Sequence, residues 1–360
     1  MKAPDTSRPA NLFNNLGYAY SKPDVARMAD GTSIVVMGNG YGSFTGDASL
    51  FVLNANTGAL IREIPIPASA KLADNGLSSV KLRVNAQNVV QAAYAGDLKG
   101  RLWKFDMSSS SAANWSVAFS GKPLFTATAP DNTPQPITAQ PLLLDHPLNG
   151  KMVYFGTGKF SEISDKTTNS QQAFDAIWDG DTATGGYVQN NLQPQNITGT
   201  ITGNGATYFT TSNNDVDWTL RKGWYMTLST TDPYVGERII YPAQTSRGRI
   251  IFTTAAVNSS DPCESTGIGR LFELDAAKGG MLNYQVLDTN GDGRIDSADT
   301  IVAGIGIGTG IPNLAAIVSG TSGRDDTKYL IDSSGGQATA LQEKGGPANI
   351  YQRIMWRQIQ

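Results

Sequence analysis

SLFVLNANTGALIREI, residues 49–64, is the stretch on which the fold turns. Leu50-Phe51-Val52-Leu53 is a short apolar run, Asn54-Ala55-Asn56-Thr57-Gly58 is rich in turn formers, and Ala59 to Ile64 resumes apolar character. That is a β-hairpin. The pattern returns as GRLWKFDMSSS (100–110) and GRLFELDAAKGGMLNYQV (269–286). Each copy has a small residue, an apolar-aromatic pair, a second apolar residue two positions on, then Asp or Asn and a turn. Copies about 50 and 170 residues apart suit one hairpin per blade of a β-propeller. A blade of four short strands cannot bury both faces alone, so blades must stack. At roughly 45–50 residues per blade, 360 residues fill about six or seven blades. A double β-sandwich is the alternative all-β arrangement.

Strand and turn alternate along most of the chain. Ser33–Gly38 (SIVVMG), Gln91–Ala95, Arg101–Phe105, Met152–Gly156, Trp224–Leu228, Arg249–Thr254, Arg270–Asp275 and Tyr329–Ile331 all read as strands. No segment keeps a 3.6-residue apolar period, so only short helical turns are expected. Residues 179–217, rich in Gly, Thr and Asn, read as a long polar loop excursion over one face, where binding functions tend to sit.

Charged residues make up 16% of the chain, the formal net charge is −3 and glycines number 39. This is the profile of an all-β protein with an uncharged polar surface, and it excludes nucleic acid, which needs a basic patch. No run of 18 apolar residues could cross a membrane as a helix. Residues 1–20 hold no apolar signal-peptide core, which leaves a cytosolic protein or a piece of a longer chain. The lone cysteine, Cys263, cannot form an internal disulfide.

Enzyme signatures are lacking. The one histidine, His146, has no G-x-S-x-G partner motif, and a zinc site needs more His or Cys. The glycine clusters GNGYGS (38–43), FGTGKF (155–160) and GIGIGTG (304–310) lack nucleotide-loop spacing and read as turn glycines. The six tryptophans read mainly as blade-packing residues, with Trp218 a candidate stacking face for sugar.

The most pointed chemistry is LDTNGDGRIDSADT, residues 287–300. A calcium ion takes six to eight oxygens, and a loop curled around it supplies them from positions 1, 3, 5, 7, 9 and 12. Those positions are Asp288, Asn290, Asp292, the Arg294 carbonyl, Asp296 and Asp299. Gly293 stands at the sharp turn, and Ile295 is the apolar anchor. Position 12 is Asp rather than the usual Glu, as in dockerin-type loops. The flanks, Met281–Leu287 and Thr300–Gly304, look extended rather than helical, so the loop reads as an EF-type calcium site set in a β-protein. One calcium is the only cofactor expected.

Several segments together resemble the PilC/PilY1 family of type IV pilus proteins, at the level of its C-terminal domain. They are GNGYGS, LFVLNANTGALI (50–61), YAGDLKGRLWKFD (94–106), VYFGTGKF (153–160), AIWDG (176–180), RIIFTTAAV (249–257) and GRLFELDAAKGG (269–280); the terminal IMWRQIQ looks like the family's natural end. The resemblance implies a modified β-propeller over residues 1–360, a single domain within a longer exported protein. It implies no enzyme but a pilus-tip factor that supports assembly, opposes retraction and serves twitching motility and adhesion. Its expected partners are minor and major pilins and a host-cell or abiotic surface receptor. Its expected place is the cell surface or pilus tip, with outer-membrane association, in a Gram-negative bacterium. In many members a calcium loop precedes the YAGD segment. Here its ligand positions carry Arg83, Asn85, Gln87 and Gln91, with no carboxylate to offset the dehydration of a cation, so the calcium role falls on 288–299. The competing functions are a calcium-containing quinoprotein-like dehydrogenase and a lectin-like propeller that binds glycans through the 179–224 region.

Overall fold

The structure is a computed structural model that describes residues 13–257, 267–308, 310–318, 320, 325–335 and 338–345. Cys263, Trp356 and the terminal IMWRQIQ lie outside the described residues.

The Asp or Asn that ends each copy of the repeat explains why the strand stops there. Asn54 accepts hydrogen bonds from the Asn56 and Thr57 amides, Asp106 from Ser108, and Asp275 from Ala277 and Lys278. A short polar side chain that bonds the backbone two or three residues on offers an alternative to the sheet ladder and turns the chain. In YAGDLKGRLWKFD, Asp97 does more. Its Oδ1 accepts from the Lys99 and Arg101 amides and its Oδ2 from Trp103 Nε1 and Asn75 Nδ2.

The first sheet is antiparallel: β1 (Asp24–Arg27), β2 (Ser33–Gly38), β3 (Ser49–Asn54) and β4 (Leu60–Pro65). The second is built on β5 (Leu77–Val84), β6 (Val90–Asp97) and β7 (Arg101–Asp106), with short β8 (Ser116–Val117) and β9 (Phe125–Thr126) against β7. The third begins with β10 (Leu142–Asp145), β11 (Lys151–Gly156) and β12 (Ala173–Asp179). The chain then runs through β13 (Tyr187–Val188), β14 (Gln193–Gln195), the hairpin β15 (Ile197–Gly203) and β16 (Ala206–Thr211), and β17 (Gly223–Thr227). A fourth sheet adds β18 (Gln244–Ser246), β19 (Arg249–Thr253), β20 (Gly269–Asp275) and β21 (Gly304–Ile307) to the β15–β16 hairpin. The fifth is β22 (Asn313–Val318), β23 (Asp326–Ile331) and β24 (Thr339–Glu343). The three repeat copies fall on β3, β7 and β20, each the third strand of its blade's up-and-down run.

The core is made between neighbours. Val36 and Val52 of the first sheet share a cluster with Val80 and Trp103 of the second. Tyr94 and Leu102 of the second meet Val153, Phe155 and Ile177 of the third. Phe174 and Trp224 of the third meet Phe252 and Phe272 of the fourth, with Phe174 stacked on Phe252 at 4.1 Å between ring centroids. Ile251 and Leu271 of the fourth meet Leu314 and Leu330 of the fifth. Each sheet buries a face only by stacking on the next, as a propeller requires. Truncating a ring such as Phe252 to Ala would cost about 3–5 kcal/mol through lost burial and the cavity left behind.

Three expectations need correction. The described residues form five sheets, not six or seven blades. The third and fourth sheets hold five and six strands, so each takes up more chain than a four-stranded blade. The extra strands come from residues 179–217, which are not simply a loop excursion. β13 pairs parallel with β9 of the second sheet, β14 pairs parallel with β17 of the third, and β15–β16 joins the fourth. In β15, ITGTITG, Ile and Gly are half-buried and Thr is exposed in strict alternation, which is the period of a half-covered strand. GIGIGTG is likewise not all turn, since Gly304 and Gly306 lie in β21, where a Cβ at Gly304 would stand 2.4 Å from the Leu271 carbonyl oxygen. Helical segments are three to five residues long among the described residues.

Candidate metal loop and the charged seam beside it

The 288–299 loop lies between β20 and β21. The chain reaches it through Leu282, Val286 and Leu287 and leaves through Val302, all buried in the cluster shared by the fourth and fifth sheets. Ile295, only 2% exposed, pins the loop's middle. Neither flank is helical.

Within the loop, side-chain oxygens accept backbone amides a few residues ahead. Asp288 accepts from Gly291 at 2.6 Å through Oδ1 and from Gly293 at 2.9 Å through Oδ2. Asn290 accepts from Asp292, Asp292 from Arg294, and Asp296 from Ala298, at 2.8–2.9 Å. Gly291 and Gly293 have φ of 79° and 81°, a region cheap only for glycine. Asp299 closes the ring. Its Oδ1 accepts from Thr289 N at 2.7 Å, Thr289 Oγ1 at 3.1 Å and Asn290 N at 3.3 Å, and its Oδ2 from Asp296 N at 2.9 Å. Burial pushes the Asp299 carboxyl up, but the Asp296, Thr289 and Asn290 donors together outweigh it and hold the group below the usual carboxylate range.

All six sequence-predicted positions therefore lie in one loop, and every donor is a hard oxygen of the kind calcium takes. No three Asp, Glu, His or Cys side chains stand gathered around one point among the described residues. Each carboxylate gives one or both oxygens to the loop's own amides and keeps further lone pairs that a cation could share.

Three bonds tie the loop to its surroundings. Tyr208 Oη of β16 donates to the Asp288 carbonyl at 3.0 Å, Gln285 Nε2 donates to the Asp299 carbonyl at 3.3 Å, and Lys344 Nζ donates to the Ile295 carbonyl. Lys344 follows β24 directly, so the loop touches the last sheet.

Beside it runs a buried charged seam that the sequence reading missed. Arg249 of β19 pairs with Glu273 of β20 at 3.1 Å and with Glu343 of β24 at 2.5 Å, and Lys328 of β23 pairs with Glu273. All four side chains are essentially inaccessible. Arg247 adds a bidentate bond to Asp326. The signal was present in charged residues standing within the apolar runs RIIFTT and GRLFELD, since such groups are almost never fully buried unless paired.

His146 is enclosed by rings. It stacks on Trp178 at 4.5 Å, meets the edge of Trp218 at 4.4 Å, and accepts the Leu148 amide through Nδ1. Trp103, Trp115 and Trp224 are buried as expected of packing residues.

The family described as the PilY1 beta-propeller domain matches residues 2–214, more than half of the chain. The chain belongs to that family. Type IV pilus biogenesis factor PilY1 of Pseudomonas aeruginosa strain PAO1 is 32% identical over 319 residues, covering 79% of this chain and 27% of that protein. A type IV pilus biogenesis factor PilY1 homolog of Xylella fastidiosa is 31% identical over 370 residues, covering 99% of this chain and 28% of that protein. The chain thus spans little more than a quarter of the length of these curated relatives. The crystal structure of the P. aeruginosa PilY1 C-terminal domain superposes with a TM-score of 0.76 at 28% identity, across 93% of this chain and 74% of that one. The resemblance drawn from YAGDLKGRLWKFD and its companions is a true family relationship, and the PilY1 propeller fold goes with it. The candidate loop at 288–299 lies beyond the matched family segment.

Proposed function

We propose that this propeller is a non-enzymatic module of the type IV pilus machinery, serving assembly, resistance to retraction, twitching motility and surface adhesion at the cell surface or pilus tip. Membership of the PilY1 family is the observation that supports it, because the relatives carry the name type IV pilus biogenesis factor. Minor and major pilins are the partners this reading names, together with a receptor on a host cell or abiotic surface. The enclosed setting of the single histidine favours a structural over a hydrolytic role.

Asp288, Asn290, Asp292, the Arg294 carbonyl, Asp296 and Asp299 would hold one calcium ion. Bound there, the ion supplies positive charge that offsets repulsion among four carboxylates and fixes the loop. Ile295 and its bond from Lys344 would then pass that rigidity to the last sheet. Extracellular loops of this type bind calcium from about 10⁻⁷ to 10⁻³ M.

The test is an in-frame deletion of the region encoding this propeller in the parent cell, scoring surface pili, twitching and adhesion of piliated cells separately. Loss of pili or motility supports the assembly role, and loss of adhesion alone assigns the module to attachment. Unchanged pili, motility and adhesion would sink the proposal.

A further inference from the structure

A second site lies where the third and fourth sheets meet. Successive residues of a strand face opposite ways. Tyr208 of β16 therefore reaches the metal loop, while Thr207 and Phe209 line a cavity of about 500 Å³. That size falls within the range of about 300–1,000 Å³ common for small-molecule sites. The 229–234 turn, the end of β17 and the β15–β16 hairpin complete its walls.

Its base is rigid. Arg270, 2% exposed, bonds Glu237 through Nε at 2.7 Å and also through Nη2. Glu237 accepts further bonds from Thr254 Oγ1 at 2.5 Å and the Ser229 amide at 3.0 Å. The guanidinium carbon sits 4.7 Å from the Phe209 ring centre, 4.4 Å from Tyr234 and 5.0 Å from Phe272. Arg270 thus fixes the aromatic rings in place, and its own charge is met by a buried carboxylate.

The walls are amphipathic in a particular way. Half-buried Tyr234 and Ile197 give apolar surface, and Phe209, only 2% exposed, contributes to the floor. Between them stand the hydroxyls of Thr200, Thr207 and Tyr234, which make no hydrogen bond to any other described side chain or backbone group, and Asp232 lies on the exposed turn. A purely apolar ligand would strip water from those hydroxyls with nothing in return, a loss of the kind that costs a few kcal/mol per group. An anionic ligand would find Arg270 already neutralised and Asp232 repelling it. A sugar ring answers both halves, with apolar C–H faces for Tyr234 and Ile197 and hydroxyl edges for the donors and acceptors.

We propose that the cavity between the β15–β16 hairpin and the 229–234 turn is a binding site for a neutral saccharide unit, with Tyr234 and Ile197 as its apolar platform and Thr200, Thr207, Tyr234 and Asp232 as its polar contacts.

The intact chain is screened on a glycan array, and the best neutral oligosaccharide is then titrated calorimetrically. Thr200→Trp fills the cavity from an exposed hairpin position, and Thr207→Val removes one hydroxyl while keeping the side chain's shape. Thermal melting checks that both variants fold. Saturable binding of a neutral glycan that Thr200→Trp abolishes and Thr207→Val weakens by about tenfold is the expected result, a tenfold change being what one good hydrogen bond carries. Binding of no glycan, binding of anionic glycans only, or binding unchanged in Thr200→Trp would overturn the proposal. Neither variant touches the 288–299 loop, so the calcium response and the sugar response fail independently.

Discussion

At residues 85–89 the turn between β5 and β6 is closed by an amide side chain, with Asn85 Oδ1 accepting the Gln87 and Val89 amides at 3.0 and 2.9 Å. At residues 288–299 the same kind of closure is made by carboxylates, with Asp288, Asp292, Asp296 and Asp299 each accepting amides of their own loop. Both devices bend the backbone. Only the second gathers four negative charges into twelve residues, and with them a reason to hold a cation. The neutral turn is tied to the end of β1, where the Arg27 amide donates to the Asn88 carbonyl at 3.0 Å, whereas the charged loop is pinned by Ile295 and reaches the last sheet through Lys344. A turn needs only an acceptor, and a metal site needs acceptors whose charge is not otherwise compensated.

The contrast can be broken first at Asp299. Asp299→Ala deletes the acceptor of four bonds, three of them from backbone amides. Bonds to a charged group that become unsatisfied on burial make a loss of about 3 kcal/mol the expected outcome, read by urea unfolding in chelator, where no ion contributes. A loss below about 0.5 kcal/mol would mean that the loop is not organised by this residue. Calcium itself comes next. At about 100-fold above its dissociation constant it should add about 2.7 kcal/mol, seen as a higher melting temperature that EDTA reverses and that Asp292→Ala largely removes. An identical melting curve with and without the ion would erase the distinction between the two turns.

The pH responses of two buried carboxyls should run in opposite senses. Asp299 is held low, so its contribution is present above the ordinary carboxylate value of about 4 and is lost as pH falls through its lower folded value. Asp175 of β12 is fully buried with no hydrogen-bond partner for either oxygen among the described residues, and burial pushes it up to about 8. The folded state keeps that proton while the unfolded chain gives it up, so stability declines as pH rises from about 4 to about 8. Stability profiles of Asp299→Asn and Asp175→Asn should flatten the acid and alkaline limbs respectively, and a flat wild-type profile over both ranges would refute the pair. The smallest effect belongs to the neutral turn. Asn85→Asp, at an exposed position, should change stability by less than about 0.5 kcal/mol and create no calcium response, because Gln87 and Gln91 are neutral and Arg83 is cationic, so no second carboxylate shares the ion. A calcium-dependent rise in that variant would show that one carboxylate suffices.

The local grammar was legible in the sequence. The Asn54, Asp106 and Asp275 turns mark the ends of third strands, and the D-x-N-x-D-G spacing places six candidate ligands in one loop. Long-range pairing was not legible. β13 and β14, two and three residues long, pair in parallel with strands far along the chain, and nothing in YV or QPQ names the partner. β15 was hidden by composition, since Thr and Gly read as loop although their alternation with Ile is that of a strand. The seam of Arg249, Glu273, Lys328 and Glu343 was hidden for a related reason, because a charge in a strand gives no hint of which distant charge meets it.

Pairwise stacking of the sheets also decides which joint a pull on the last sheet would meet first. No hydrophobic cluster of the described residues joins the fifth sheet to the first. The fifth sheet is held to the fourth by Leu314 and Leu330 and by the Arg249–Glu343 and Lys328–Glu273 pairs. Tension entering along β24 would therefore meet this joint of apolar contacts and buried ion pairs before it reached the aromatic stack of Phe174, Phe252 and Phe272. Separating those pairs would leave each charge buried without its partner, a cost of about 3–5 kcal/mol, so the last sheet is fastened to the fourth by charge as well as by apolar packing.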